Sequence, residues 1–259
     1  MDETGRFSIS PQALYARLGV ASSPVLIDVK PSAAFDSDIA MIVGAMRRAP
    51  EDVDRWASML SREHSIVVYC GDSVERSEHV TAKLLGAGLN AVYLEGGLDA
   101  WSRAGLPRRR RFRSMTRAWI TRERPKIDRI ACPWLIRRFI DPEAKIPYVP
   151  RDQVVATAEE TGATPFDIPN VSFGHHGDQC SFDAFLVAFA IRDRPLDRLA
   201  DIVRGADTGK PSLTPQSAGL LALSQGLSAI FADDYAMLAH GMIVYDALYA
   251  WCRNEVTLR

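Results

Sequence analysis

Ser65-Ile66-Val67-Val68-Tyr69-Cys70-Gly71-Asp72-Ser73-Val74-Glu75-Arg76 passes from a short apolar run, through a polar loop led by glycine, into a helical pattern. Ser65 to Cys70 is rich in β-branched and aromatic residues, which predicts a buried strand. Ser77 to Leu85 reads as a helix that ends near Gly86 and Gly88. Working outward, Pro24 to Val29 is a second buried strand, and Ala91 to Leu94 is a third, closed by Glu95-Gly96-Gly97. Between them, Asp52 to Leu60 fits an amphipathic helix with Val53, Trp56, Ala57 and Leu60 on one face. Strands alternating with helices predict an α/β domain, a parallel sheet with helices on both faces.

Ligands of such sheets sit beyond the carboxyl ends of the strands, where Cys70 falls. The loop Gly71, Asp72, Ser73, Val74 and Glu75 is therefore an expected anion-binding cradle, its N–H groups and the following helix start favouring negative charge. A cysteine there is expected to ionise easily, with Arg76 adding positive charge. Cys70 packed as a small apolar residue at a strand end fits the same placement, and the residues leave both readings open.

The chain has 259 residues, enough for two domains. At 47% hydrophobic and 24% charged it has the composition of a soluble protein with a sizeable core, which excludes a fibrous or largely disordered chain. The longest near-continuous apolar run, Ala184 to Ile191, is far short of the ~20 residues a membrane helix needs. The charged opening Met1-Asp2-Glu3-Thr4-Gly5-Arg6 lacks a signal-peptide core, so a cytoplasmic protein without membrane partners is expected. Cys70, Cys132, Cys180 and Cys252 are widely spaced, which argues for free thiols and against a cysteine zinc site.

Charge is unevenly placed. Residues 108–124 hold 8 Lys or Arg against 1 acidic residue, between two mildly acidic segments. The run Arg108-Arg109-Arg110-Arg111-Phe112-Arg113 could contact nucleic acid or an acidic partner. A solvated basic linker is the favoured reading, because no DNA-reading motif accompanies it. The expected organisation is then residues 1–107, a linker over 108–124, and a second domain over 125–259.

The second domain reads as mainly helical. Asp128 can cap a helix over about 129–140 carrying Ile130, Trp134, Leu135 and Phe139, and further helices are expected over 181–191, 195–204, 215–226 and 233–253. Phe173-Gly174-His175-His176-Gly177-Asp178-Gln179-Cys180-Ser181-Phe182-Asp183 gathers imidazole, carboxylate and thiol in one short loop. That donor mixture suits a divalent metal such as manganese, iron or zinc, with His175 and Asp183 as ligands and Asp207 as the distant one. His240, inside the last helix, is read as a core histidine. Lys126, Arg129 and Arg137 form an expected oxyanion-binding set, since guanidinium forks match tetrahedral anions. Surface ion pairing of the same cations with Asp128, Asp141 and Glu143 fits equally.

Two resemblances add to these readings. Leu26-Ile27-Asp28-Val29-Lys30, Ile42-Val43-Gly44-Ala45, the Cys70 loop, Tyr93-Leu94-Glu95-Gly96-Gly97-Leu98-Asp99-Ala100-Trp101 and Gly105-Leu106-Pro107 resemble a rhodanese domain over roughly 7–107. The resemblance implies sulfur transfer through a persulfide on Cys70. Lys30 stands where the family usually has Arg, Met41 where it often has His, and Glu75 where sulfurtransferases place Arg or Lys. The Cys-x5-Arg spacing to Arg76 is similar to rhodanese-like phosphatases and arsenate reductases, which take a larger tetrahedral oxyanion.

Asp128 to Pro142, Thr164-Pro165-Phe166-Asp167-Ile168, His175 to Asp183, Ile202 to Asp207 and Tyr245 to Trp251 resemble the C-terminal domain of ChrB-type chromate-resistance proteins. The family pattern His-x-Gly-x-x-Cys-Ser/Thr-Phe-Asp/Glu falls on His175, Gly177, Cys180, Ser181, Phe182 and Asp183, which ranks His175 above His176. Together the resemblances imply a chromate or oxyanion stress-resistance protein with a sulfurtransferase-like domain, taking a small sulfur donor or chromate. A chromate-responsive regulator binding DNA, and a silent rhodanese module that binds a partner, are the other readings.

Overall fold

A computed structural model of the chain describes residues 7–71, 73–112 and 117–257; Asp72 and Arg113 lie outside them. The chain divides into two compact units, one through Arg111 and one from Phe112.

The first unit runs β1 (Ser8–Ile9), α1 (Pro11–Tyr15), β2 (Val25–Asp28), α2 (Ser32–Ser37), β3 (Ala40–Ile42), β4 (Met46–Arg47), α3 (Val53–Ala57), β5 (Ile66–Tyr69), α4 (Val74–Gly86), β6 (Ala91–Leu94), α5 (Gly97–Arg103) and β7 (Arg108–Arg110). Its main sheet has the order β1-β6-β5-β2-β4, all parallel, as the alternation of strands and helices predicts. Every residue of β5 is buried, which is why its sequence is continuously apolar rather than alternating. Ile27, Ile66 and Val68 pack with Val53, Trp56, Val80 and Leu84 of α3 and α4.

The stretch 108–124 is not a continuous linker. Arg108, Arg109 and Arg110 form β7, antiparallel to β3 with Met41 opposite Arg109. Successive strand residues face opposite ways, so Arg109 points away from the face that Arg108 and Arg110 share. Arg109 donates to the Ala45 carbonyl. Arg111 donates to the carbonyls of Phe35 and Asp38 and lies 4.1 Å over the Phe35 ring. Arg108 and Arg110 are exposed.

The second unit runs β8 (Trp119–Arg122), α6 (Asp128–Leu135), a π-helical turn (Ile136–Ile140), β9 (Tyr148–Val149), α7 (Val154–Thr161), β10 (Thr164–Pro165), α8 (Ser181–Ala188), α9 (Arg194–Asp207), α10 (Ser217–Ile230) and α11 (Asp234–Thr257). It is mainly helical, with a small parallel sheet of order β10-β8-β9 that the pattern does not announce, because two of its strands have only two residues. None of the described helices is long and apolar enough to cross a membrane.

Pro133 sits inside α6, further in than a helix start. Proline has no N–H, so the Arg129 carbonyl one turn earlier loses its helical donor. The Tyr148 hydroxyl replaces it at 2.7 Å. On the same helix Trp134 donates its indole N–H to Asp246 of α11 at 2.7 Å, and Arg138 grips both carboxylate oxygens of Asp246 at 2.9 and 3.0 Å. Tyr245 and Tyr249 of α11 close around Trp134. This aromatic core fixes where the N-terminus of α6 lies.

Candidate functional site

The Cys70 loop is tightly built. Gly96 and Gly97 both have left-handed backbones, and a Cβ on Gly97 would come within 2.6 Å of the Cys70 carbonyl oxygen. The glycine pair therefore lets α5 start against the loop, where the Leu98 N–H holds the Cys70 carbonyl at 2.9 Å. Ser73 caps α4 by accepting the Arg76 N–H at 3.3 Å. Val74 and Glu75 are exposed in the first turn of α4, where an acidic side chain suits the helix dipole. Arg76 folds back to place Nη1 3.5 Å from the Cys70 sulfur. Cys70 itself is only 1% exposed. Lys30, whose stem lies against Gly71, spends its charge on Asp28 at 3.3 Å and Asp38 at 2.7 Å.

A second cluster forms in the other unit. Asp128, Asp167, His175 and Asp207 each offer one ligating atom, and these atoms all lie within 4.8 Å of one another. His175 Nε2 is 3.0 Å from Asp207, 3.5 Å from Asp128 and 3.5 Å from Asp167. Each residue is placed by a separate piece of chain. Asp128 is the first residue of α6, behind Ile127, whose N–H goes to Ser224 and whose carbonyl takes the Tyr245 hydroxyl. Asp167 follows β10 with a left-handed backbone (φ 52°), strain that a non-glycine residue tolerates only when its surroundings hold it there. Asp207 is the last residue of α9. His175 follows Gly174, where a Cβ would stand 2.7 Å from the Ile168 carbonyl oxygen, so only glycine lets the loop pass this close to Asp167.

The carboxylates are oriented from behind. The Ser181 N–H donates to Asp128 Oδ2 at 2.5 Å and the Ser181 hydroxyl to Asp167 Oδ1 at 3.0 Å. The Asp128 N–H donates to Asp207 at 3.4 Å. Asp128 Oδ1 is buried and has no hydrogen-bond partner among the described residues. Burial and the neighbouring carboxylates push Asp207 up to about 7. Burial pushes Asp128 up as well. Asp167 is held below its usual range: burial opposes this, but the His175 hydrogen bond and the charges of Arg129 and Arg122 outweigh it. His175 is pushed up to about 10 by its hydrogen bonds to Asp128 and Asp167. Without a metal, His175 and the guanidiniums of Arg122 and Arg129 are the cationic partners of the carboxylates. His175 is 43% exposed at its side chain, which leaves the cluster a solvent approach.

The structure thus brings His175 and Asp207 together and adds Asp128 and Asp167, which the sequence reading left as a helix cap and an unassigned residue. The clue to Asp167 was its place between Phe166 and Ile168, where an ionisable group is drawn into the core. Asp183 stands apart. Its carboxylate takes the Cys180 N–H at 3.0 Å and both ends of the Arg204 fork at 2.7 and 2.9 Å, which hold it on donors outside the cluster. His176 bonds the Ser172 carbonyl, and His240 is an exposed residue stacked on Phe231 rather than a core histidine. Among the predicted cations Arg129 reaches the cluster, 3.5 Å from Asp167, joined by the unpredicted Arg122 at 3.4 Å. Lys126 is exposed and Arg137 is half-buried in the π-helical turn.

A rhodanese-like α/β domain with a cysteine at the end of a central strand, followed by a helical domain with a histidine–carboxylate cluster, defines a two-domain class. Residues 119–252 match the ChrB C-terminal domain and residues 10–104 the rhodanese-like domain. The chain belongs to the family of the ChrB C-terminal domain. It is 34% identical over 145 residues to Protein ChrB of Cupriavidus metallidurans, a match covering 56% of this chain and 43% of that protein. The match therefore spans less than half of that relative. Solved structures similar to the first domain include a rhodanese-related protein from Thermoplasma volcanium, 24% identical over 39% of this chain and 96% of its own (TM-score 0.35). A rhodanese-like domain protein from Staphylococcus aureus is 25% identical over 37% of this chain and 90% of its own (TM-score 0.32).

Proposed function

We propose that this chain acts in resistance to chromate-type oxyanions, with a divalent metal held by Asp128, Asp167, His175 and Asp207 and with sulfur transfer through Cys70. The observation that carries the metal reading is the convergence of one imidazole and three carboxylates from separate segments, all inside the ChrB-matched residues. The donor set fits a metal on two further grounds. Ligating atoms on opposite sides of a small divalent ion stand ~4–4.5 Å apart, close to the spacing found here. The unpartnered Asp128 Oδ1 also lacks the hydrogen bond that a buried carboxylate oxygen ordinarily has. An oxygen-rich set with one imidazole suits manganese, iron or zinc. Such an ion supplies a Lewis acid or an activated water. The chain's own residues hold it rigidly, through the Ser181 bonds to Asp128 and Asp167. Metal analysis of the purified protein, before and after chelation and reloading, tests the reading: the wild type should carry one ion per chain and His175→Ala should not. Equal metal content in both would overturn it.

In the rhodanese-like domain, the Cys70 thiolate would take the terminal sulfur of a donor such as thiosulfate, forming a persulfide as sulfite leaves. Support comes from Arg76, whose guanidinium stands 3.5 Å from the sulfur, where it can hold an anionic sulfur donor. Cys70 is expected to be the first of the four thiols alkylated at near-neutral pH. Burial pushes the Cys132 and Cys180 thiols up, with nearby carboxylates adding to it, and burial pushes Cys252 up to about 11. Peptide mapping by mass spectrometry reads the order; labelling of Cys252 first would contradict it. Glu75→Gln, which removes an anion from the loop, should raise thiosulfate sulfurtransferase activity severalfold. A wild type with no sulfur transfer would leave the domain as a partner-binding module.

A further inference from the structure

Asp167 has two oxygens with different partners. Oδ1 faces His175 and receives the Ser181 hydroxyl, while Oδ2 lies 3.4 Å from Arg122 and 3.5 Å from Arg129. Two guanidiniums therefore share one carboxylate oxygen. Arg129 reaches that oxygen through its Nε, whereas the buried Nε of Arg122 has no hydrogen-bond partner among the described residues. Two like charges drawn to one oxygen repel, and an anion set between them would relieve both. Arg129 is also fixed from its backbone, since the carbonyl released by Pro133 is tied to Tyr148.

We propose that loading the metal creates an oxyanion site, in which Arg122 and Arg129 clasp a tetrahedral dianion beside the ion. This rests on the metal reading given above. The two guanidiniums already stand at the edge of the cluster, against Asp167. A divalent ion held by three carboxylates and a neutral imidazole, beside those two guanidiniums, leaves a net positive charge. It also draws on Asp167, the shared counter-charge of the two arginines. The arginines then face an anion with unused donors in a forked arrangement suited to tetrahedral oxygens. Metal and anion consequently bind with positive coupling, and the coupling is reciprocal. The ligand class is a tetrahedral oxyanion of the size of sulfate or chromate, and the residues distinguish this clasp from the Cys70 loop of the other domain.

Mn2+ titrations of the full chain, with and without sulfate or chromate, test it. Saturating sulfate is expected to tighten Mn2+ binding at least about fivefold, the lower end of ordinary coupling. Chromate should do the same if charge and shape are what the site reads, and more strongly if the site selects it. In the Arg122→Gln/Arg129→Gln variant, Mn2+ alone should bind at least as tightly as in wild type, because Asp167 has lost its competing cations. The gain from either anion should vanish. Retained Mn2+ binding also reports that this variant folds. If Mn2+ binds the wild type with the same affinity in the presence and absence of both anions, the clasp is wrong and the metal site stands. If Mn2+ does not bind the wild type at all, the metal reading fails first.

Discussion

In the Asp128→Asn variant, divalent-metal affinity falls by more than about a hundredfold, exceeding the ~10–100-fold that loss of an outer partner costs. Asp128 is fully buried, and one of its oxygens has no partner among the described residues. Asn keeps the side-chain shape, and its carbonyl can still accept the Ser181 N–H, so the start of α6 should survive. It removes the charge that a cation needs. The metal-free variant should be at least as stable as the metal-free wild type. Burial already disfavours the Asp128 carboxylate, whose neighbours Asp167 and Asp207 are also acidic. Thermal unfolding gives the readout. Metal at a hundred times its Kd should stabilise the wild type by about 2.7 kcal/mol, by mass action on the folded state. The same metal concentration should leave the Tm of Asp128→Asn almost unchanged. A variant that gains as much Tm as wild type would remove Asp128 from the site.

Asp183→Ala should do the opposite: stability drops by about 3 kcal/mol while the chain still takes one metal ion. The carboxylate is buried and holds Arg204 through both fork nitrogens, and it satisfies the Cys180 N–H at the start of α8. Removing it leaves the partly buried guanidinium with the more exposed Asp201 as its carboxylate partner and leaves that N–H unmatched. Urea denaturation read by the change in midpoint measures the loss, and metal stoichiometry on the folded fraction measures the rest. Loss of metal with little loss of stability would restore Asp183 as a ligand. With Asp128→Asn, the pair separates the residue that would bind a metal from the residue that binds the fold.

The strand over 65–70, the loop after Cys70 and the helix that follows were legible because each depends on neighbours within a few residues. An apolar β-branched run can only be a buried strand here, and Gly96-Gly97 is required wherever a helix must begin against another backbone. His175 was legible because imidazole, carboxylate and thiol crowd one short stretch, 173–183, whose donor types are visible without any tertiary contact. The basic run over 108–113 misled, because its composition is that of a solvated linker. Pairing with β3 lies outside the run itself, and it is this pairing that turns Arg109 and Arg111 into donors for carbonyls of the same domain.

The sequence by itself determined a parallel α/β domain, a cysteine at the end of its central strand, a helical second domain and a histidine–carboxylate loop. Only the tertiary structure decided which carboxylates meet His175. Asp128, Asp167, Asp183 and Asp207 are chemically alike, and nothing local distinguishes them. Asp128 and Asp207 are 79 residues apart and are joined through a backbone N–H once α6 and α9 pack. Asp183, much nearer in sequence, is captured by Arg204 of α9 before it can reach the cluster. Local pattern sets which elements form, because backbone hydrogen bonds and side-chain periodicity are short-range. Choice among equivalent carboxylates is a competition for cations and N–H donors through space, and packing alone settles which of them arrives.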